Sequence, residues 1–253
     1  MLIVRVFVFA SLCLGIWASC SSLSQSEPQQ VSVDEEFIFS EAIAPEVFRE
    51  AWKDDTLSQL VAYDSLSLKD LPISEENKSF LSRAGLPNSC APFLGFNEKL
   101  YTENLRTIKE VLTLENDDFI HHYVIGSGEI GIIYIDSDDS DKIKMIDIAY
   151  AHRIDDNNTS PVHPDYVPQR FMNSSVGHLA HCLLVYRQYV DQIRAARNNQ
   201  SFLDIEPTAR ELDDLRQKLL KADPNCLSEK SFWAFETRSK VIDIKGPSSV
   251  KLP

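Results

Sequence analysis

The chain has 253 residues, 43% hydrophobic and 25% charged, enough to bury a sizeable core in one domain with flanking segments. Its 38 acidic and 25 basic side chains leave a formal charge of −13, which disfavours nucleic acid and other phosphate partners and suits encounter with a basic protein. With Cys13 and Cys20 in the leader, the odd trio Cys90, Cys182 and Cys226 excludes a disulfide framework and allows at most one bridge, its pair left open.

At the N-terminus Arg5 precedes an uncharged apolar run, Val6 to Trp17, too short for a comfortable membrane span of about 20 residues. Trp17-Ala18-Ser19-Cys20 resembles a bacterial lipobox with Trp in place of the usual Leu, and Cys20 would carry the lipid. The expectation is a signal peptide over 1–19, lipidation at Cys20, a Ser- and Gln-rich tether over 20–36, one α+β domain over 37–245, and a frayed tail over 246–253. Such a protein sits in the cell envelope and touches the membrane only through its N-terminus. If the leader is not processed, the protein is cytoplasmic.

Beyond the tether, Pro45 opens a helical spacing through Val47, Phe48, Trp52, Leu57, Leu60 and Val61. Ser74 caps a second helix that Gly85 ends, and Phe93 to Phe96 reads as an edge strand. Residues 100–119 suit a helix or a strand pair equally. The centre of the chain is Tyr123 to Ile148, three β-branched runs forming an antiparallel meander. Its middle run is apolar on both parities, so it belongs in the centre of a sheet covered on both faces. Met145-Ile146 breaks alternation in the third run, as a bulge or strand end would. A loop with Asp155 and Asp156 follows, then a long helix from Val176 capped by Ser174 or Ser175. A charged helix with Leu212, Leu215, Leu219 and Leu220 inward ends at Asp223-Pro224.

Gly126-Ser127-Gly128-Glu129-Ile130-Gly131 matches G-x-G-x-x-G, but it opens a strand rather than a helix, so a dinucleotide site is excluded and a hairpin turn expected. His152-Arg153-Ile154-Asp155 mimics a kinase catalytic loop without the lysine and D-F-G that chemistry needs. His178 and His181 share a helix face beside Cys182, yet no further ligand motif accompanies them, so polar-face or capped histidines are expected. His121 and His122 open a strand and point to opposite faces. Asp136, Asp138, Asp139 and Asp141 alternate like part of a calcium loop but lack its Gly and Glu, and a solvated turn is expected. Asn77, Asn157, Asn158, Asn173 and Asn199 stand in glycosylation sequons that mean little in a chain with a bacterial leader. No cofactor, metal or catalytic residue is expected.

Gly85-Leu86-Pro87 after a helix, Phe93 to Phe96, Ile125-Gly126, Phe171-Met172-Asn173-Ser174-Ser175, Leu184-Val185-Tyr186, and Asp223-Pro224 before Phe232-Trp233 together resemble the fourth family of SUKH immunity proteins, over about Pro72 to Arg238. The resemblance implies an α+β SUKH fold and a non-catalytic role, neutralising a toxin, often a nuclease, from a polymorphic toxin system. The leader departs from that pattern, since such proteins usually guard the cytosol. The expected partner is a basic cognate toxin, met by the acidic residues Asp136, Asp138, Asp139, Asp141, Asp155 and Asp156. The alternatives are an envelope lipoprotein with a general protein-binding module and, further off, a metal enzyme built on His178 and His181.

Overall fold

The computed structural model describes residues 42–53, 58–96, 105–114, 117, 119–129, 131–147 and 168–238. Proline at the first turn starts α1 (Pro45–Trp52), which buries Phe48 and Trp52. The helical spacing does not continue to Leu60 and Val61. The Trp52 indole donates to the Ser58 carbonyl at 2.8 Å, and Leu60–Val61 becomes β1, antiparallel to β2 (Leu86–Pro87). Val47, expected on the buried stripe, is 55% exposed. Next come α2 (Ser65–Lys69), capped by Asp64, and α3 (Glu75–Arg83), capped by Ser74 as expected. Gly85 follows at φ +72°, where a Cβ would stand 2.1 Å from the Val61 carbonyl oxygen, so only glycine lets β2 close on β1.

Within the undecided stretch a Thr107–Glu110 capping box starts a short helix, α4 (Ile108–Leu112). The main sheet is antiparallel throughout, in the order β3 (Leu94–Gly95), β4 (His122–Gly128), β5 (Gly131–Asp136), β6 (Lys142–Asp147), β7 (Gln169–Asn173). The expected meander is β4-β5-β6, and β5 lies in the middle with all six residues buried. Parity assigns its side chains: Ile133 and Ile135 join the large core, while Ile132 and Tyr134 join a smaller one with Ile108, Phe119, Val124 and Ile146. The same rule corrects the reading of Met145-Ile146. Both residues pair in register, with Ile133 and Ile132, and are apolar because each faces a different core; the irregularity lies at Ile143/Lys144 against β7.

The large core is closed by α5 (Val176–Ala196), which buries Leu179, Leu183, Tyr186 and Ile193, each worth about 1.5–3 kcal/mol of transfer energy for a fully buried side chain. A second capping box, Thr208 with Glu211, starts α6 (Ala209–Ala222), and Arg197 clasps Glu211 through both carboxylate oxygens at 3.0 and 2.8 Å. Leu220 of α6, expected inward, is 36% exposed. A last short helix, α7 (Phe232–Glu236), seats Phe232 and Trp233 in the core.

Candidate functional site: the acidic β5–β6 hairpin

Four carboxylates crowd one end of the sheet, and the fold gives them different work. The turn is a 3-10 segment, Ser137–Asp139, followed by Ser140 and Asp141 at φ +54° and +59°, a left-handed pair that reverses the chain. Asp136 is 5% exposed and accepts from the Asp138 amide at 3.2 Å and from Lys144 Nζ at 2.8 Å. Asp141 is 9% exposed, and its Oδ2 accepts from the Ser74 amide at 2.6 Å and from Asn77 Nδ2 at 3.3 Å. Asn77 Oδ1 in turn accepts from the Val176 amide at 3.0 Å, so Asp141 ties the start of α3 to the start of α5. These two carboxylates are therefore parts of the frame, and the reading of a wholly solvated turn is corrected.

The other two face outward. Asp139 accepts from Lys142 and Lys144, both at 2.7 Å; burial pushes its carboxyl up, but the two ammonium bonds outweigh that and hold it below the usual range. Burial likewise pulls Lys144 down, and its bonds to Asp136 and Asp139 outweigh it and raise the group. Asp138, with its side chain 64% exposed, pairs with the half-exposed His121 at 2.8 Å. Against two lysines the hairpin keeps a local excess of negative charge, and Asp138 is the carboxylate most open to a partner.

His122 is paired with Asp136 across the strands and lies on the smaller face between the Phe119 and Tyr134 rings, each 5.2 Å away. Burial holds its imidazole below the usual histidine range. His122, Asp136 and Asp138 offer donor atoms within 4.8 Å of one another, as a metal site would, but the Lys144 ammonium already occupies the cation position beside Asp136. His178 is a capping histidine: Ser175 Oγ accepts from its amide and lies 2.8 Å from its Nδ1. Asp155, Asp156 and Cys20 lie outside the described residues.

The glycines of the G-x-G-x-x-G match serve packing. Gly126 and Gly128 lie inside β4 rather than in the hairpin turn expected of them. A Cβ on Gly126 would meet Phe96 at 2.5 Å and the Gly95 carbonyl at 2.6 Å, and one on Gly131 the Ile146 carbonyl at 2.2 Å.

A second polar cluster joins segments far apart in sequence. Asn173, at the end of β7, donates to Asp223 at 3.0 Å and accepts from Trp233 Nε1 at 2.9 Å. Asp223, 1% exposed, also accepts from the Ser174 amide and hydroxyl at 2.8 and 2.9 Å and from the Asn225 amide at 3.0 Å. Four donors among the described residues satisfy this buried carboxylate. Residues 50–236, well over half of the chain, match the model of the SUKH-4 immunity protein family. The chain belongs to the SUKH-4 immunity protein family. No curated protein and no solved structure matches it.

Within this SUKH-4 domain, the joints that carried the resemblance, Phe171 to Ser175, Asp223-Pro224 and Phe232-Trp233, thus meet in one buried network and are structural. Sequence reading missed their mutual contact and the role of Lys144. The signal available was the run of polar residues (Asn173, Ser174, Ser175) between a strand and an apolar helix. Asn77 and Asn173, both in sequons, are 2% and 0% exposed and engaged inside the fold. Cys182 and Cys226 are buried, and Cys90 is half-buried. Among the described residues, no helix is long and apolar enough to cross a membrane.

Proposed function

We propose that this protein neutralises a cognate protein toxin by binding it, without chemistry of its own. The observation that carries the reading is the family match over residues 50–236, since an immunity protein implies a toxin partner and the family is generally non-catalytic. The outward carboxylates of the β5–β6 hairpin, on a chain of net charge −13, suit a basic toxin surface. The leader favours placement in the envelope, with Cys20 as lipid anchor. The test is co-expression with the toxin domain encoded beside its gene. Cells should survive with the wild-type protein, and a purified complex should form. Death of cells that express folded protein would overturn the reading.

A further inference from the structure

Cys182 on α5 and Cys226, four residues past α6, are both 0% exposed and belong to one buried junction: Asn173 bonds both Cys182 and Asp223, and the Cys226 amide donates to the Asp223 carbonyl at 3.1 Å. Each sulfur is hydrogen-bonded. Asn173 Nδ2 donates to Cys182 Sγ at 3.2 Å, and Cys226 Sγ donates to the Leu219 carbonyl at 3.4 Å. The third cysteine is elsewhere. Cys90 bridges to Leu94 at the β3 edge of the sheet, whereas Asn173, which touches Cys182, ends β7 at the opposite edge. Four strand spacings of about 4.8 Å put roughly 19 Å between those edges. A disulfide needs Cα atoms within about 7 Å. The fold therefore excludes Cys90 and leaves Cys182 with Cys226.

We propose that Cys182 and Cys226 close to a disulfide when the chain folds in the presence of a disulfide donor, either a small disulfide or a disulfide oxidoreductase. One cysteine, as thiolate, attacks the donor disulfide and releases the first donor thiol; the other attacks the mixed disulfide so formed and releases the second. The pair gives up two electrons and two protons, and the donor is reduced to two thiols. The exchange takes place before the core closes, because neither thiol is exposed afterwards. The bond would tie α5 to the turn that carries Asp223. In a reducing compartment the pair stays a hydrogen-bonded dithiol, so its state reports where the chain folded.

The experiment refolds the denatured, reduced full-length chain in buffers of oxidised and reduced glutathione, then alkylates the free thiols under denaturing conditions and maps the peptides by mass spectrometry. The expected product is a Cys182–Cys226 cross-linked peptide with Cys90 alkylated, and the Cys90→Ser chain should give the same bridge. Full alkylation of Cys182 and Cys226 after oxidative refolding, or a bridge that recruits Cys90, would overturn the proposal. The Cys226→Ser chain should lose the bridge; if it fails to fold, the Cys90→Ser result decides. No toxin enters this test, so it stands or falls apart from the immunity reading.

Discussion

The Tyr63 hydroxyl donates to the Ile125 carbonyl oxygen at 2.6 Å, across 62 residues and in a fully buried setting. Ile125 is the residue at which the β4–β5 ladder slips, between Val124 and Gly126, so its carbonyl needs a partner outside the ladder. Tyr63 supplies it, and in doing so links the segment after β1 to the sheet. Tyr63→Phe keeps the ring and removes the donor, leaving a buried carbonyl unmet. Its expected cost is about 1–3 kcal/mol, read as a lower urea midpoint with an unchanged m-value. An unchanged midpoint would mean that the bulge carbonyl has another partner.

Asn173→Ala should be costlier, because one amide serves both Trp233 and Asp223. Its loss strands an indole N–H and removes one of four donors to a buried carboxylate, at about 2–4 kcal/mol in chemical denaturation. Asn173→Asp keeps the shape but sets a second carboxylate against Asp223, and should be no better tolerated. Wild-type stability in either variant would refute the structural role of this junction.

How much of this was legible in the sequence depends on the range of the signal. The meander, its central strand and the caps at Ser74 and Ser175 rest on local alternation and capping chemistry, which a short window contains. The end of α1 at Trp52 was not legible, because Leu60 and Val61 keep an acceptable helical spacing and only their pairing with Pro87 and Leu86 makes them a strand. The acidic hairpin was half legible. Its composition is local, but the burial of Asp141 depends on Ser74 and Asn77, more than 60 residues away.

Stability should fall on mild acidification. His122 titrates below 6.5 because burial opposes its charge, against Asp136 and Asp138, which favour it, and Lys144 and His121, which do not; His181 is lowered by burial and by His178. For a base with a depressed folded value, the unfolded chain takes the proton first, so stability is complete above about 6.5 and is lost as pH falls below it, by about 1.4 kcal/mol per unit of displacement. Glu211, held at about 2 first by Arg197 and then by Thr208, adds a loss only below its ordinary 4.5. That loss is small, because the pair is partly exposed and screened by solvent. Melting followed by circular dichroism should show a plateau above pH 7 and a decline toward pH 5, made shallower by His122→Phe. A flat profile through that range would contradict the assignment.

Envelope anchoring is tested at Cys20. The wild-type protein should fractionate with membranes and incorporate labelled fatty acid, and Cys20→Ala should abolish the label. A wholly soluble, full-length, unlabelled wild-type chain would place the protein in the cytoplasm.

The acidic hairpin yields the sharpest division between frame and contact. Asp136 and Asp141 are buried and bonded inside the fold, Asp139 is committed to two lysines, and Asp138 faces outward. Changing Asp141 to Ala should therefore cost about 1–3 kcal/mol of folding stability, because the Ser74 amide and Asn77 lose their acceptor. Changing Asp138 to Asn should leave the melting profile close to wild type and slow association with a basic toxin, by about two- to three-fold at low ionic strength. The effect should shrink as salt rises, since the Debye length is about 8 Å at physiological ionic strength. Dissociation should change little, because exposed rim charges steer an encounter while buried aromatic and Arg contacts hold the complex. Stopped-flow association across a salt series separates these outcomes. If the Asp138→Asn variant binds at the wild-type rate with the same salt slope, the toxin meets another face and the acidic hairpin is only a polar end of the sheet.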